Sequence, residues 1–233
     1  MTRRLNAESR LPKSIIKPDY LSTDHRVGIV HLGLGSFHKA HQAVYTDDAL
    51  KKAGGHWRTA AISLRSEHNA TALQQQNGLY TLLMKDSDGV QPKVIGSIAE
   101  ALSLKADRHR IMSLLQDEAV KIVSLTVTEK GYGIDMATFE PIFSDAAVAA
   151  DFEMARSGES DDFSSVLGLL TWALTVRRAA NIPPFTILSC DNIPQNGTFI
   201  RKGLVNYAEM IDPELAQWID ANVACPCTMV DRI

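Results

Sequence analysis

Apolar residues in this chain fall in short unbroken runs, and polar stretches with a three-to-four residue apolar spacing separate them. RVGIVHLGLG (26–35) is such a run closed by glycines, which predicts a buried strand and a turn. The pattern from Phe37 to Lys52 is helical, and WRTAAISL (57–64) predicts a second buried strand. The polar segment RSEHNATALQQQNG (65–78) is read as part helix, and GLYTLLM (78–84) and PKVIGSI (92–98) as two further strands. DRHRIMSLLQDE (107–118) predicts a helix. KIVSLTVTE (121–129) is β-branched and apolar, the mark of a buried parallel strand. After a polar stretch, FSSVLGLLTWALTVRRAA (163–180) predicts a helix with Arg177 and Arg178 suiting the dipole of its last turn, ended by Pro183 and Pro184. FTILSC (185–190) is the next strand and DNIPQNG (191–197) its loop. Two helices fill 198–223, and Asp212-Pro213 opens the second.

Apolar strands alternating with helices predict an α/β fold, a doubly wound, mostly parallel sheet of the Rossmann type. Ligands of such sheets bind at the carboxyl ends of the strands. The loops to watch are therefore 33–38, 65–68, 129–133 and 191–197. The first 25 residues are polar, contain Pro12 and Pro18, and are expected to lie on the surface as an arm; residues 26–233 form the domain.

Composition narrows the function classes. A net charge of -3 in 233 residues provides neither a basic face for nucleic acid nor a polybasic membrane anchor. No apolar run approaches the roughly 20 residues of a membrane span, and the N-terminus has no apolar signal core. Three cysteines, an odd number, fit a reducing, cytoplasmic setting. Cys225-Pro-Cys227 is too tightly spaced for zinc pairing, so both read as ordinary thiols.

Candidate chemistry gathers at the glycine turn. Gly33 can take a tight turn, Gly35 would let a pyrophosphate approach the backbone, and the helix beginning near Phe37 would aim its amides at that anion. The third glycine of G-x-G-x-x-G would fall at 38, where the residue is His38. By spacing alone the segment fits a dinucleotide site or a bare strand-to-helix turn. Glu67, just past the second strand, is placed to accept hydrogen bonds from adenosine ribose hydroxyls. A carboxylate there repels a 2′-phosphate and favours NAD over NADP, against which Arg65 works. His38 and His41 lie three apart on one predicted helical face, but no third ligand has a metal-binding spacing, so no metal is expected. Y-x-x-x-K, G-x-S-x-G and phosphate-loop patterns are absent where their chemistries would need them.

Four segments together resemble the mannitol dehydrogenase family of polyol-specific long-chain dehydrogenases: IVHLGLGSFHKAHQAVYTD (29–47), IVSLTVTEKGYGID (122–135), FTILSCDNIPQNG (185–197) and CPCTMVDRI (225–233). They occur in family order, and the family's turn reads G-x-G-x-F-H-[RK]-A-H-Q, so Phe37 and His38 are its normal residues. The resemblance implies NAD(P)-dependent, metal-independent hydride transfer between a sugar alcohol or sugar acid and its ketone. It assigns Gly33, Gly35, Phe37 and His38 to the cofactor turn and Glu67 to the ribose. It matches Asn192 to an asparagine of the oxyanion hole, counted with the cofactor set as well, and Glu129 to a glutamate on the proton path. An aspartate often follows the ribose glutamate in the family, and His68 stands there instead.

The family's catalytic K-x-x-x-x-N-x-x-H belongs to a helical second domain, which the 233 residues do not contain. Lys130 is the sole lysine beside a predicted site loop, and it lacks the Asn and His partners. The expected partners are therefore a polyol or sugar-acid substrate and a C-terminal catalytic half, with no nucleic acid or membrane. The competing reading is a stand-alone NAD(H)-binding module that turns nothing over.

Overall fold

The computed structural model describes residues 4–6, 8–20, 26–87, 89–158 and 162–230. The chain divides into two compact units, Met1–Asp107 and Arg108–Ile233.

In the first unit, β1 (Val27–Leu32) and β5 (Ile98–Ser103) pair in parallel with β2 (Arg58–Ser63), one on each side. Val30, Leu32, Ala60, Ala61, Ile62 and Ile98 are fully buried, as the unbroken apolar runs require. The helix expected over 37–52 is two: α1 (Ser36–Ala40) and α2 (Gln42–Ala53), separated at His41, whose φ of -125° and ψ of -92° break the helical ladder. α3 (Glu67–Gln74) starts at an Ser66 cap and packs Ala70 and Leu73 into a core with Leu34, Ala43, Ala61, Ile95, Ile98 and Ala101.

The expected strand 92–98 straddles two. β3 (Tyr80–Asp86) and β4 (Gly89–Ile95) form an antiparallel ribbon, then Gly96 and Ser97 carry the chain into β5. The reason is a tether at the bend: Gly96 N donates to Asp47 Oδ1 at 2.8 Å and Ser97 Oγ to Ala43 O at 2.6 Å. The arm also departs from a surface strap. Val94 N donates to Ile16 O at 2.7 Å, and the Tyr20 hydroxyl is buried against Asp47. Lys93 sits 3.7 Å from the same carboxylate, so the buried charges compensate. Residues 21–25 of the arm lie outside the described residues.

In the second unit, β6 (Ile122–Leu125) pairs in parallel with β7 (Thr186–Ser189). β6 is shorter than its apolar run because residues 126–128 leave the ladder and Glu129–Tyr132 turn into a 3-10 helix. α4 (Arg108–Gln116), α6 (Val166–Ala179), α7 (Asn196–Glu209) and α8 (Pro213–Asn222) lie where the spacing places them. The polar stretch before 163 holds a further helix, α5 (Ala146–Ser157). Its buried Asp151 accepts from Ser165 N at 2.7 Å at the start of α6, a tertiary cap that polarity hides from a periodicity reading. Arg177 stands in the last turn of α6, where a cation suits the dipole, and its side chain turns inward. It is fully buried and donates to Leu115, Asp117, Val120 and Pro183 carbonyls at 2.9–3.2 Å. Arg178 stays at the surface with Asp212 and Glu214.

Candidate functional site

The turn after β1 is pinned to the end of β2: Gly33 N and Leu34 N both donate to Ile62 O at 2.9 Å. Gly33 has φ of 108°, where a side chain is strained, so this glycine is required by the backbone itself. Gly35 is different. It caps α1 with extended φ and ψ of -128° and -175°, and a Cβ built on it would meet nothing nearer than Gly33 O at 3.6 Å. The fold does not demand glycine at 35. What a side chain there would fill is open space above the turn, the place a pyrophosphate must occupy in a dinucleotide site.

His38 is fully buried beneath the turn, its ring lying flat on that of His31 with centroids 3.6 Å apart and planes 13° apart. This is the physical answer to the missing third glycine. That glycine normally lets helix and strand touch; here a stacked pair of imidazoles, His31 from β1 and His38 from α1, fills that contact. His31 Nε2 lies 3.3 Å from Gly33 O, and His38 Nδ1 lies 3.2 Å from Gln42 Oε1. Burial pushes both rings toward the neutral form, His38 down to about 4 and His31 well below its ordinary value. His41 does not share a helical face with His38. It sits between α1 and α2, stacked on the partly exposed Phe37 at 4.9 Å.

Glu67 is the first residue of α3, directly past β2, with its carboxylate exposed and 3.8 Å from the exposed Lys105. Such a surface pair is weak, so the carboxylate can serve a diol. Arg65 and His68 are exposed on either side.

In the second unit, Glu129 and Lys130 are exposed on the 3-10 helix after β6, and Asn192 is exposed on the loop after β7. Asp191, directly before Asn192 in the chain, has a carboxylate that accepts from Val127 N at 2.9 Å, Thr128 N at 3.1 Å and the Tyr132 hydroxyl at 2.8 Å. Tyr132 is fully buried, and its oxygen is 2.6 Å from Ser189 Oγ. Burial and the Asp191 charge raise the Tyr132 phenol, which therefore stays a donor. Asn196, buried at the start of α7, bonds Asp191 O at 3.0 Å and accepts from Thr228 N at 2.9 Å, stitching the 191–196 loop to the C-terminal segment. Cys227 departs from an ordinary thiol: hydrogen bonds from Thr198 and Gly197 hold it below the usual range.

Sequence reasoning missed His31, Asp191, Tyr132 and Asn196. His31 faces the core from a strand, so only the stack gives it a role. A polar residue directly after a buried strand was the available signal for Asp191. Residues 231–233 of the CPCTMVDRI segment lie outside the described residues. Among the described residues, no three His, Cys, Asp or Glu side chains could jointly hold a metal ion, and no helix is long and apolar enough to cross a membrane.

Residues 27–233 match the family model for the mannitol dehydrogenase Rossmann domain, which carries the expected fold class. The chain is 38% identical to mannitol 2-dehydrogenase of Cereibacter sphaeroides over 96% of its length and 46% of that protein. It is 36% identical to D-mannonate oxidoreductase of Escherichia coli (strain K12), over 97% of this chain and 46% of that protein. Among solved structures, Pseudomonas fluorescens mannitol 2-dehydrogenase in ternary complex with NAD and D-mannitol superposes with a TM-score of 0.90 at 38% identity, covering 99% of this chain and 47% of that one. The chain spans about half the length of these relatives.

Proposed function

The chain belongs to the mannitol dehydrogenase family, and from that premise we propose that it is the cofactor-binding half of an NAD-dependent oxidoreductase interconverting a sugar alcohol or aldonate with its ketose or ketouronate. Mannitol with fructose and mannonate with fructuronate are the pairs in view. Bound at the Gly33–Gly35 turn and Glu67, NAD would supply a hydride acceptor for the carbinol carbon. This chain's residues do the rest that is in their reach. The open backbone at Gly35 admits the pyrophosphate, and Glu67 accepts hydrogen bonds from the adenosine ribose diol. His38 and His31 support the turn from below. The Asn192 amide donates to the oxygen that gains negative charge as hydride leaves, and the Glu129 carboxylate serves the proton path. The base that takes the hydroxyl proton is assigned to a second, C-terminal half, since Lys130 stands without Asn and His partners of the K-x-x-x-x-N-x-x-H kind. A free-thiol protein of this class fits the cytoplasm.

The observation that carries the reading is the unused space at Gly35. Gly35→Ala should leave folding intact, because its Cβ meets only an ordinary contact at 3.6 Å, while blocking the pyrophosphate. Calorimetric titration with NADH should give binding to the wild-type chain and a loss of at least about tenfold in affinity for the variant at unchanged Tm. No binding by the folded wild-type chain, or equal binding by both, defeats the proposal.

A further inference from the structure

Five non-glycine residues among those described have positive φ, and Thr128 is the β-branched one among them. Its φ of 66° and ψ of 160° fall in a region that is essentially reserved for glycine. Such strain persists only where the surroundings over-determine it, and it collects at working sites. Here the strained residue lies directly before Glu129, and what holds it is the Asp191 carboxylate, directly before Asn192.

We propose that Asp191 is a positioning residue: its carboxylate clamps Val127, Thr128 and Tyr132, holds Thr128 in its strained conformation, and thereby fixes Glu129 against Asn192. The clamp rests on geometry alone, and its purpose rests on the functional reading above. The donor set explains why a carboxylate is needed. Oδ1 accepts from Thr128 N, while Oδ2 accepts from both Val127 N and the Tyr132 hydroxyl. All three partners donate, so an asparagine in either orientation would face a donor with its own NH₂. Tyr132 has one proton, committed to Asp191, so Ser189 Oγ donates to the phenol oxygen and anchors the clamp on β7. The carboxyl end of β7 thus carries the clamp and Asn192 in consecutive residues. The loop leaving β6 is drawn to it by two backbone amides, and its next residue is Glu129. Asp191 touches no reacting atom in this scheme. It works through its neighbours.

The test is a cycle of Asp191→Asn, Thr128→Gly and the double variant. In the wild-type chain Thr128→Gly relieves the strain and raises Tm by about 3 °C. In the Asp191→Asn chain, where the loop has relaxed, it raises Tm by under about 1 °C. Equal rises in both backgrounds mean that Asp191 does not hold the strain, and the proposal falls. The functional arm uses the chain with a C-terminal half of the family supplied in cis or in trans. Asp191→Asn should lower kcat for the polyol at least about tenfold while NADH affinity stays within about twofold, and adding Thr128→Gly should recover most of kcat, because glycine adopts the conformation unaided. An unchanged kcat, or a loss that Thr128→Gly leaves untouched, overturns the positioning role. If the wild-type assembly turns over no polyol, the functional reading fails, and the Tm cycle still decides the clamp.

Discussion

The stacked His31 and His38 beside the Gly33 turn make acid stability the sharpest quantitative consequence of this structure. His38 is fully buried and held neutral, with its folded-state pKa lowered from 6.5 to about 4, chiefly by desolvation. Above 6.5 the ring is neutral in both folded and unfolded chains, and stability is at its full value. Below 6.5 the unfolded chain takes up a proton that the folded one refuses. Stability is therefore lost as the pH falls, until the folded ring also protonates near 4. At about 1.36 kcal/mol per pH unit, the fall of the His38 pKa from 6.5 to about 4 makes its loss about 3 kcal/mol. His31 is shifted in the same direction and adds to it. The perturbation that removes the His38 titration is His38→Phe, which keeps a flat ring against His31 and also removes the His38 charge that helps hold the His31 pKa down, so the effect is at least that of His38 alone. Equilibrium urea unfolding, followed through exchange protection of the β1 and β2 amides, should be measured from pH 7 to pH 4. Whatever the substitution costs in packing is constant with pH, so the variant should lose about 3 kcal/mol less than the wild-type chain over that window. Parallel stability curves would refute the argument, since they would mean that His38 protonates in the folded state as easily as in the unfolded one.

Two further outcomes follow from single residues. Arg177→Met should lower stability by about 3 kcal/mol or more in urea unfolding, because the carbonyls of Leu115, Asp117, Val120 and Pro183 lose a shared buried donor. Glu67→Gln should shrink the preference for NAD over NADP by about tenfold in titrations with the two cofactors, since it removes the charge that repels a 2′-phosphate; an unchanged ratio would mean that Glu67 does not face the ribose.

Much of the fold was legible in the chain because burial on both faces of a parallel strand leaves an unbroken apolar run. β1, β2 and β7 each fall within such a run, and α6 and α8 fall where apolar spacing and the Asp212-Pro213 start place them. Gly33 and Gly35 follow β1, Glu67 follows β2, Glu129 follows β6 and Asn192 follows β7, each past the carboxyl end of its strand, as their order predicts. The failures share one cause. The break at His41, the bend at Gly96, the helix α5 and the inward turn of Arg177 are each imposed by partners distant in sequence, or by a conformation that residue spacing does not encode.

The chain by itself determined where most of the strands and helices fall and which polar and glycine loops follow the strands, because periodicity and glycine placement are local properties. Only the tertiary structure decided that glycine at 35 leaves room the fold does not use, that His38 replaces a glycine by stacking on His31, and that Asp191 holds a strained threonine beside Glu129. Those three are matters of distance between atoms brought together by folding. Their energies, a desolvated imidazole and a strained backbone, arise only once water has been excluded and the partners are fixed.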